Sequence, residues 1–321
     1  MGANLPGTDA IRHYQCLPVV AGFPIDGDLE KAVWQPVPWT EDFVDILGGA
    51  GAKPWYRTRA KMAFSDEALY IAAELEEPHL WATLTEHDSV IFQDNDFEVF
   101  IDPDGDQCLY AELEINALNT TWDLLLTKPY RAGGAAIDGF ELHGIRTAVR
   151  LNGTLNDPSD TDTGWTVEIA IPWRAFSQIC RGAACPPLPG DLWRINFSRV
   201  QWHVDITDGS YQKAPNRPEE NWVWSPQLVV DMHRPARWGV LQFGGDPRAL
   251  GQAEARETLV EIWEAQRSYR ETHERFAASL ADLSMGHHQL VHLEATTNLF
   301  EASLHGLRID QDACLRKAAN E

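Results

Sequence analysis

The chain has 321 residues, among them 13 Trp, 12 Phe and 7 Tyr, and its 48 Asp and Glu outnumber 26 Lys and Arg to leave a formal charge of −22. A hydrophobic fraction of 44% is enough to build a core, which excludes a disordered chain. The acid surplus argues against nucleic acid and against an anionic membrane surface, both of which demand a basic face, and leaves uncharged polar ligands such as sugars as the natural partners.

The first 20 residues lack the basic and then apolar pattern of an export signal. The chain as it stands is therefore expected in the cytoplasm, or in the periplasm or outside the cell if a segment precedes it. The longest apolar runs, such as 124–126 and 228–230, are far too short for membrane insertion. Residues 1–22 read as a lead-in. Strands are expected at 56–64, 68–75, 97–101, 109–115, 121–127, 144–151, 164–171 and 192–202, where residues alternate or are β-rich. Turn chemistry separates them: Ser65-Asp66-Glu67 closes a hairpin, Asp102-Pro103-Asp104-Gly105 fits a type I turn, and Asn152-Gly153 and Asp208-Gly209 mark others. Short helical turns are expected at 28–34 and 172–178. Many short strands with such punctuation predict a mainly β protein, an antiparallel β-sandwich over 23–245.

After Gly244-Gly245-Asp246-Pro247 the texture changes, and 246–321 reads as a small α+β appendage. A helix is expected over 249–276, with Leu259, Ile262, Trp263, Gln266 and Tyr269 on one face. A short helix at 277–283 and strands at 292–295, 299–304 and 306–310 follow. The stretch 248–321 holds eight basic and twelve acidic residues, so most of the acidity belongs to the β domain. The five cysteines Cys16, Cys108, Cys180, Cys185 and Cys314 contain no Cys-x-x-Cys. That predicts buried free thiols, with a Cys180–Cys185 loop as the alternative and no structural zinc.

None of the nucleophile, phosphate-loop, dinucleotide or zinc-protease motifs is present. The informative segment is 94–106. On a strand, Asp96, Glu98 and Phe100 share one face while Phe97, Val99 and Ile101 share the core face. The next strand repeats the pattern with Glu112, Glu114 and Asn116. Paired, the two strands present carboxylates and an amide, good partners for sugar hydroxyls, with aromatics alongside. In Asp102-x-Asp104-x-Asp106 three carboxylates recur at every second residue, the spacing with which calcium loops offer oxygen ligands. No Glu follows at the EF-hand distance, so a polar turn is the competing reading. Trp122, Trp202 and Trp222 are further candidates for a stacking platform, whereas Trp165, Trp173, Trp193 and Trp238 read as core.

An ordered set of stretches resembles the carbohydrate-binding module family 9-like group. They are 25–30 with Trp34, Ala68-Leu69-Tyr70-Ile71, 95–105, 110–116, 164–173, 190–199, Trp224-Ser225-Pro226, His233-Arg234-Pro235 and Trp238-Gly239. The resemblance implies a sandwich whose concave sheet holds a sugar between two rings, often with structural calcium. Carried over, the rings correspond to Phe92 and Trp224, the carboxylate to Glu98 and the amide to Asn116. Glu114 stands where members carry a basic residue, and Ser198, with Arg199 beside it, stands where they carry an amide. The expectation is non-catalytic binding of a mono- or oligosaccharide by Phe92, Glu98, Glu114, Asn116, Ser198, Arg199, Trp222 and Trp224, in support of glycan breakdown with glycan-degrading enzymes as partners. Calcium is expected on Asp102, Asp104 and Asp106. Two alternatives stand beside it: a glycoside hydrolase using a carboxylate pair of the same face, and a protein-interaction module docking through the appendage.

Overall fold

A computed structural model describes residues 9–247 and 253–317. In chain order the strands are β1 (His13–Pro18), β2 (Val44–Asp45), β3 (Thr58–Phe64), β4 (Ala68–Glu76), β5 (Asp96–Asp102), β6 (Tyr110–Asn116), β7 (Thr121–Leu126), β8 (Ala136–Ile137), β9 (Arg146–Asn152) and β10 (Gly164–Pro172). They continue with β11 (Leu192–Gln201), β12 (Val204–Thr207), β13 (Ser210–Lys213), β14 (Glu220–Val223) and β15 (Gly239–Phe243). One sheet runs β8-β7-β6-β5-β11-β15-β1, with β14 on β11 and β2 on β14; the other runs β1-β3-β4-β10-β9.

The strand β1 joins the two sheets, its first four residues parallel to β15 and its last two parallel to β3. The segment read as a lead-in is thus part of the sandwich. Every other strand pairing is antiparallel. Between the sheets lies the main core, where Phe97, Val99, Ile101, Leu113 and Ile115 meet Met62, Ile71, Val167 and Ile169. The period of two that marked these strands in the sequence is the period that aims them inward.

The motif at 25–34 is folded onto the outer face of the second sheet by one side chain. Glu168 is completely buried. Its Oε2 accepts hydrogen bonds from the backbone N–H of Asp26 (2.9 Å) and Gly27 (3.0 Å) and from Lys31 Nζ (2.6 Å), and its Oε1 accepts from Trp34 Nε1 (2.8 Å). This carboxylate ties together two of the stretches that carry the family resemblance. Local turn chemistry is equally specific. Asp208 (φ 52°) and Gly209 (φ 74°) form the left-handed pair of a two-residue hairpin joining β12 to β13.

The appendage is one helix, α1 (Ala253–His273), against a four-stranded sheet of β16 (His292–Ala295), β17 (Phe300–Leu304), β18 (Leu307–Asp310) and β19 (Arg316–Lys317). Residues 249–252 of the expected helix lie outside the described residues, and 277–283 forms turns rather than a helix. Of the predicted face, Leu259, Ile262, Trp263 and Gln266 are buried, whereas Tyr269 is only half-buried and stacks on His273. Gln266 is admitted to that core because its amide exchanges two hydrogen bonds with the backbone of Ala277. This face of the helix is covered by the appendage's own sheet.

The appendage is fastened to the sandwich at the acidic loop after β5. Cys108 and Cys314 form a disulfide with Cα atoms 5.7 Å apart, which corrects the expectation of free thiols throughout; Cys16, Cys180 and Cys185 are free. Such a bond persists where the surroundings are oxidising. Beside it Leu315 N donates to Asp106 O and Gln107 Nε2 to Ala313 O. No helix among the described residues is long and apolar enough to cross a membrane.

Candidate ligand cleft

On the outer face of the first sheet a cleft of ≈ 460 Å³ opens over β5, β6 and β7. Its floor is set by register: Glu98 lies opposite Glu114, Phe100 opposite Glu112, and Glu114 opposite Trp122. The alternate side chains, Phe97, Val99, Ile101, Leu113 and Ile115, point into the core, so alternation alone delivers three carboxylates to one surface. A second apolar cluster of Phe100, Tyr110, Leu124, Val223 and Trp238 supports the floor. Phe92 and Trp122 stack at 6.4 Å with 27° between their planes, and Tyr130 meets His233 edge-on at 4.4 Å. These two ring pairs border the cleft.

The electrostatics are unusual. The lining holds Glu98, Glu112, Glu114, Glu219 and Asp231 and no Lys or Arg. Glu98, Glu112 and Glu114 are each 5% exposed or less. Burial pushes Glu98 up to about 7, an effect the Ser198 hydroxyl opposes and Glu219 reinforces. Burial and then Glu98 push Glu112 well above the ordinary carboxylate range. Burial, followed by the charges of Glu98, Glu112 and Asp96, does the same to Glu114. Glu114 Oε2 accepts the Phe92 N–H (2.8 Å), but Glu112 Oε2 is buried without a hydrogen-bond partner. The nearest base is His233, 3.9 Å from Glu112, and burial lowers it to about 4, so it is neutral at pH 7. The hollow around Trp39 on the other sheet is different: its Glu74 is paired with Arg57 and Arg59.

Several expected ligand contacts are elsewhere. Trp224 is fully buried between the sheets, packed on Tyr14 and Phe197. A Cβ on Gly239 would come within 2.2 Å of its indole, which explains why glycine follows Trp238. Trp222 lies on the same side of β14, edge-on to Trp55 and Tyr56. Arg199 shares the core face of β11 with Ile195 and Phe197. Its guanidinium bonds Glu77 (3.0 Å), Thr58 and Gln201 inside the protein. The amide of Asn116 is fully occupied, donating to Leu84 O and Asp94 and accepting from Leu118 N and Thr120 N. Ser198 is completely buried beneath the floor, in register with Glu98. The Trp202 indole donates to Phe92 O while Lys213 covers its ring at 3.5 Å, so it braces the cleft rather than lining it. Phe92, Glu98, Glu114 and Trp122 do line the cleft.

Sequence reading missed Tyr130, Asn221, Asp231 and His233 as lining residues. Asn221 was recoverable, because it alternates with Trp222 on a strand whose other face is core. The rest come from irregular segments without periodicity. The segment carrying Asp231 and His233 is held by ion pairs: Arg131 bonds Asp231 (2.7 Å) and Glu264 of α1 (3.0 Å), and Arg234 bonds Glu264 (2.6 Å).

The oxygens of Asp102, Asp104 and Asp106 converge within 4.8 Å of one another. Instead of a tight turn, residues 103–109 form a loop with Gly105, Gln107 and Leu109 at positive φ. Both oxygens of Asp102 accept backbone N–H groups, from Gly105 and Gln107, and Asp104 Oδ2 accepts from Gly182. Asp104 Oδ1 is buried with no partner. Burial and Asp104 raise Asp106 to about 6.

Fold and cleft together define a β-sandwich protein with a carboxylate-lined cleft on one outer sheet face. The chain belongs to the carbohydrate family 9 binding domain-like family, whose profile matches residues 25–186. Among solved structures it is similar to a candidate carbohydrate-binding protein from Bacteroides uniformis, with 16% identity over 73% of this chain and 100% of that one, at a TM-score of 0.53. It is also similar to a family 9 carbohydrate-binding module from Caldicellulosiruptor kristjanssonii, solved with cellotriose (16% identity, 74% of this chain, 97% of that one, TM-score 0.47). The same module solved with glucose gives 18% identity, 74% and 98% coverage, and a TM-score of 0.47. No curated protein matches the chain.

Proposed function

We propose that the cleft over β5–β7 binds a saccharide without transforming it. The observation that supports this most is the pairing of ring faces with carboxylates on one floor. Sugar C–H faces stack on rings such as Trp122 and Phe92, while hydroxyls donate to Glu98, Glu112 and Glu114. Acid–base catalysis relies on two carboxylates pushed to different acidities. Here burial raises all three, with Glu98 adding its repulsion to Glu112 and Glu114, so no member is lowered to serve as the ionised partner, which favours binding over hydrolysis.

The test uses Trp122, because Trp224 is core and its loss would report on folding. Trp122→Ala is expected to weaken binding of cellotriose or a related oligosaccharide by about tenfold or more in calorimetry, the size of a lost stacking contact with its hydrogen-bond geometry. Its melting temperature should change little, since Trp122 is only half-buried. Unchanged affinity in Trp122→Ala and in Glu98→Gln would remove the cleft as the site. Reducing ends that accumulate with the wild-type chain and not with Glu98→Gln would move the reading to hydrolysis.

Calcium on Asp102, Asp104 and Asp106 is part of the same proposal, as a structural ion. The partnerless Asp104 Oδ1 and the mutual repulsion of the three carboxylates support it. Such an ion would brace the loop that holds Cys108 and the end of the appendage. A chelator should then lower the melting temperature by several degrees through linkage, calcium should restore it, and Asp104→Asn should abolish the difference. Melting that ignores both chelator and calcium would overturn it.

A further inference from the structure

We propose that the preferred ligand of this cleft is a cationic sugar, one whose ring carries a free amine in place of a hydroxyl or an acetamide. The inference rests on the saccharide reading of the cleft and names the ligand class within it.

Three observations converge. The lining brings five carboxylates together without a Lys or Arg among them. Asp231 has its own cation in Arg131, but among the described residues no ion pair within 4.0 Å reaches Glu98 or Glu114, and Glu112 has only the neutral His233. Lys213, whose ammonium interacts with the charge of Glu219 at the edge of the lining, is held by Gln93 and the Trp202 ring. The second observation is independent of the charge count: Glu112 is 95% buried by its 5% exposure, lines the cleft, and keeps Oε2 without a hydrogen-bond donor. A buried acceptor of this kind is costly unless a ligand supplies the donor, and a charged donor satisfies it best. Third, the bordering rings fix what the cation is attached to. A bare ion has no use for the stacked Phe92 and Trp122, whereas a sugar ring lies on them and lowers its amine toward the floor. An ammonium group donates three hydrogen bonds, matching the carboxylates of Glu98, Glu112 and Glu114. A neutral hydroxyl donates one.

Three trimers that differ only at C2 separate the possibilities: the β-1,4 trimer of glucosamine, its fully N-acetylated form, and cellotriose. Each is titrated calorimetrically into the full chain in chelator-containing buffer at near-physiological salt, with trilysine as a control for general attraction to an acidic protein. The amine trimer is expected to bind more tightly than either neutral trimer by on the order of tenfold, the worth of a charge-assisted hydrogen bond. Trilysine should bind far more weakly. The ratio of amine to neutral affinity should fall toward one in Glu112→Gln and in Glu98→Gln, two variants that serve as independent checks if either fails to fold. Cellotriose or the N-acetylated trimer binding as tightly as the amine trimer overturns the proposal and leaves the saccharide reading standing. Trilysine matching the amine trimer also overturns it. Failure of all three trimers overturns the saccharide reading itself. Stoichiometric calcium or magnesium binding, without sugar and lost in Glu114→Gln, would assign the carboxylates to a metal instead.

Discussion

Arg199→Ala is expected to destabilise the chain by about 3–5 kcal/mol, because it leaves a buried carboxylate without its cation. The guanidinium is 1% exposed, bonds Glu77 at 3.0 Å, and also donates to Thr58 Oγ1 and Gln201 Oε1. Glu77 also accepts from Asn95 Nδ2 and from His79 N, so its carboxylate is fixed in place and cannot turn to another partner. Burial lowers the Arg199 pKa, and the charge of Glu77 and its hydrogen bond oppose that effect. In a urea titration the midpoint should fall with the slope nearly unchanged. Arg199→Lys should recover only part of the loss, as an ammonium cannot reproduce the three-way fork. Sugar affinity, measured where the variant remains folded, should be close to wild type because Arg199 does not line the cleft. A variant that melts normally yet loses sugar binding would return Arg199 to the ligand site.

The fate of Arg199 shows what was legible and what was not. The long strands were readable almost to the residue, as at 68–75 and 164–171 for Ala68–Glu76 and Gly164–Pro172, whereas β1, β2, β8 and β12 to β15 were not placed. Alternation also puts Glu98, Glu112 and Glu114 together, since one shared face follows from a period of two. The errors came from carrying residues over from a resemblance without applying the same parity. Ser198 and Arg199 are neighbours and must point to opposite faces. Trp222 lies opposite Arg199 in the register, so it and Trp224 share the core side. Nine of the 13 tryptophans are buried. The ring that does reach the cleft, Trp122, is set by its register with Glu114, which no local motif encodes. Tyr130 and His233 depend on the ion pairs of Arg131 and Arg234 with Glu264, more than 100 residues away from Tyr130. The Cys108–Cys314 bond spans 206 residues and has no local signal at all.

Glu112→Gln is expected to stabilise the ligand-free chain at pH 8 and to do little at pH 5, the reverse of the usual loss on removing a buried charged group. The sign follows from linkage. Glu98, Glu112 and Glu114 have folded pKa values above their unfolded values. Between those values the native state binds more protons than the unfolded chain, so stability falls as pH rises. For Glu98, which burial brings to about 7, the loss runs from about 4.5 to about 7 and amounts to roughly 3 kcal/mol at one unit per 1.36 kcal/mol. Glutamine at position 112 keeps the shape and removes both the desolvated charge and its repulsion on Glu98 and Glu114. It forfeits no hydrogen bond at Oε2, which has none. The gain at pH 8 should be on the order of 1–3 kcal/mol, read as a higher melting temperature. Melts at pH 5 and pH 8 in chelator-containing buffer, each compared with the wild-type chain, isolate it from Asp102 and Asp106, which are raised in the same sense. Equal destabilisation at both pH values would mean that Glu112 is satisfied in the native state. A stabilised variant with weakened sugar binding would identify the three glutamates as a charge cluster kept at the expense of stability, held in place for the ligand that neutralises it.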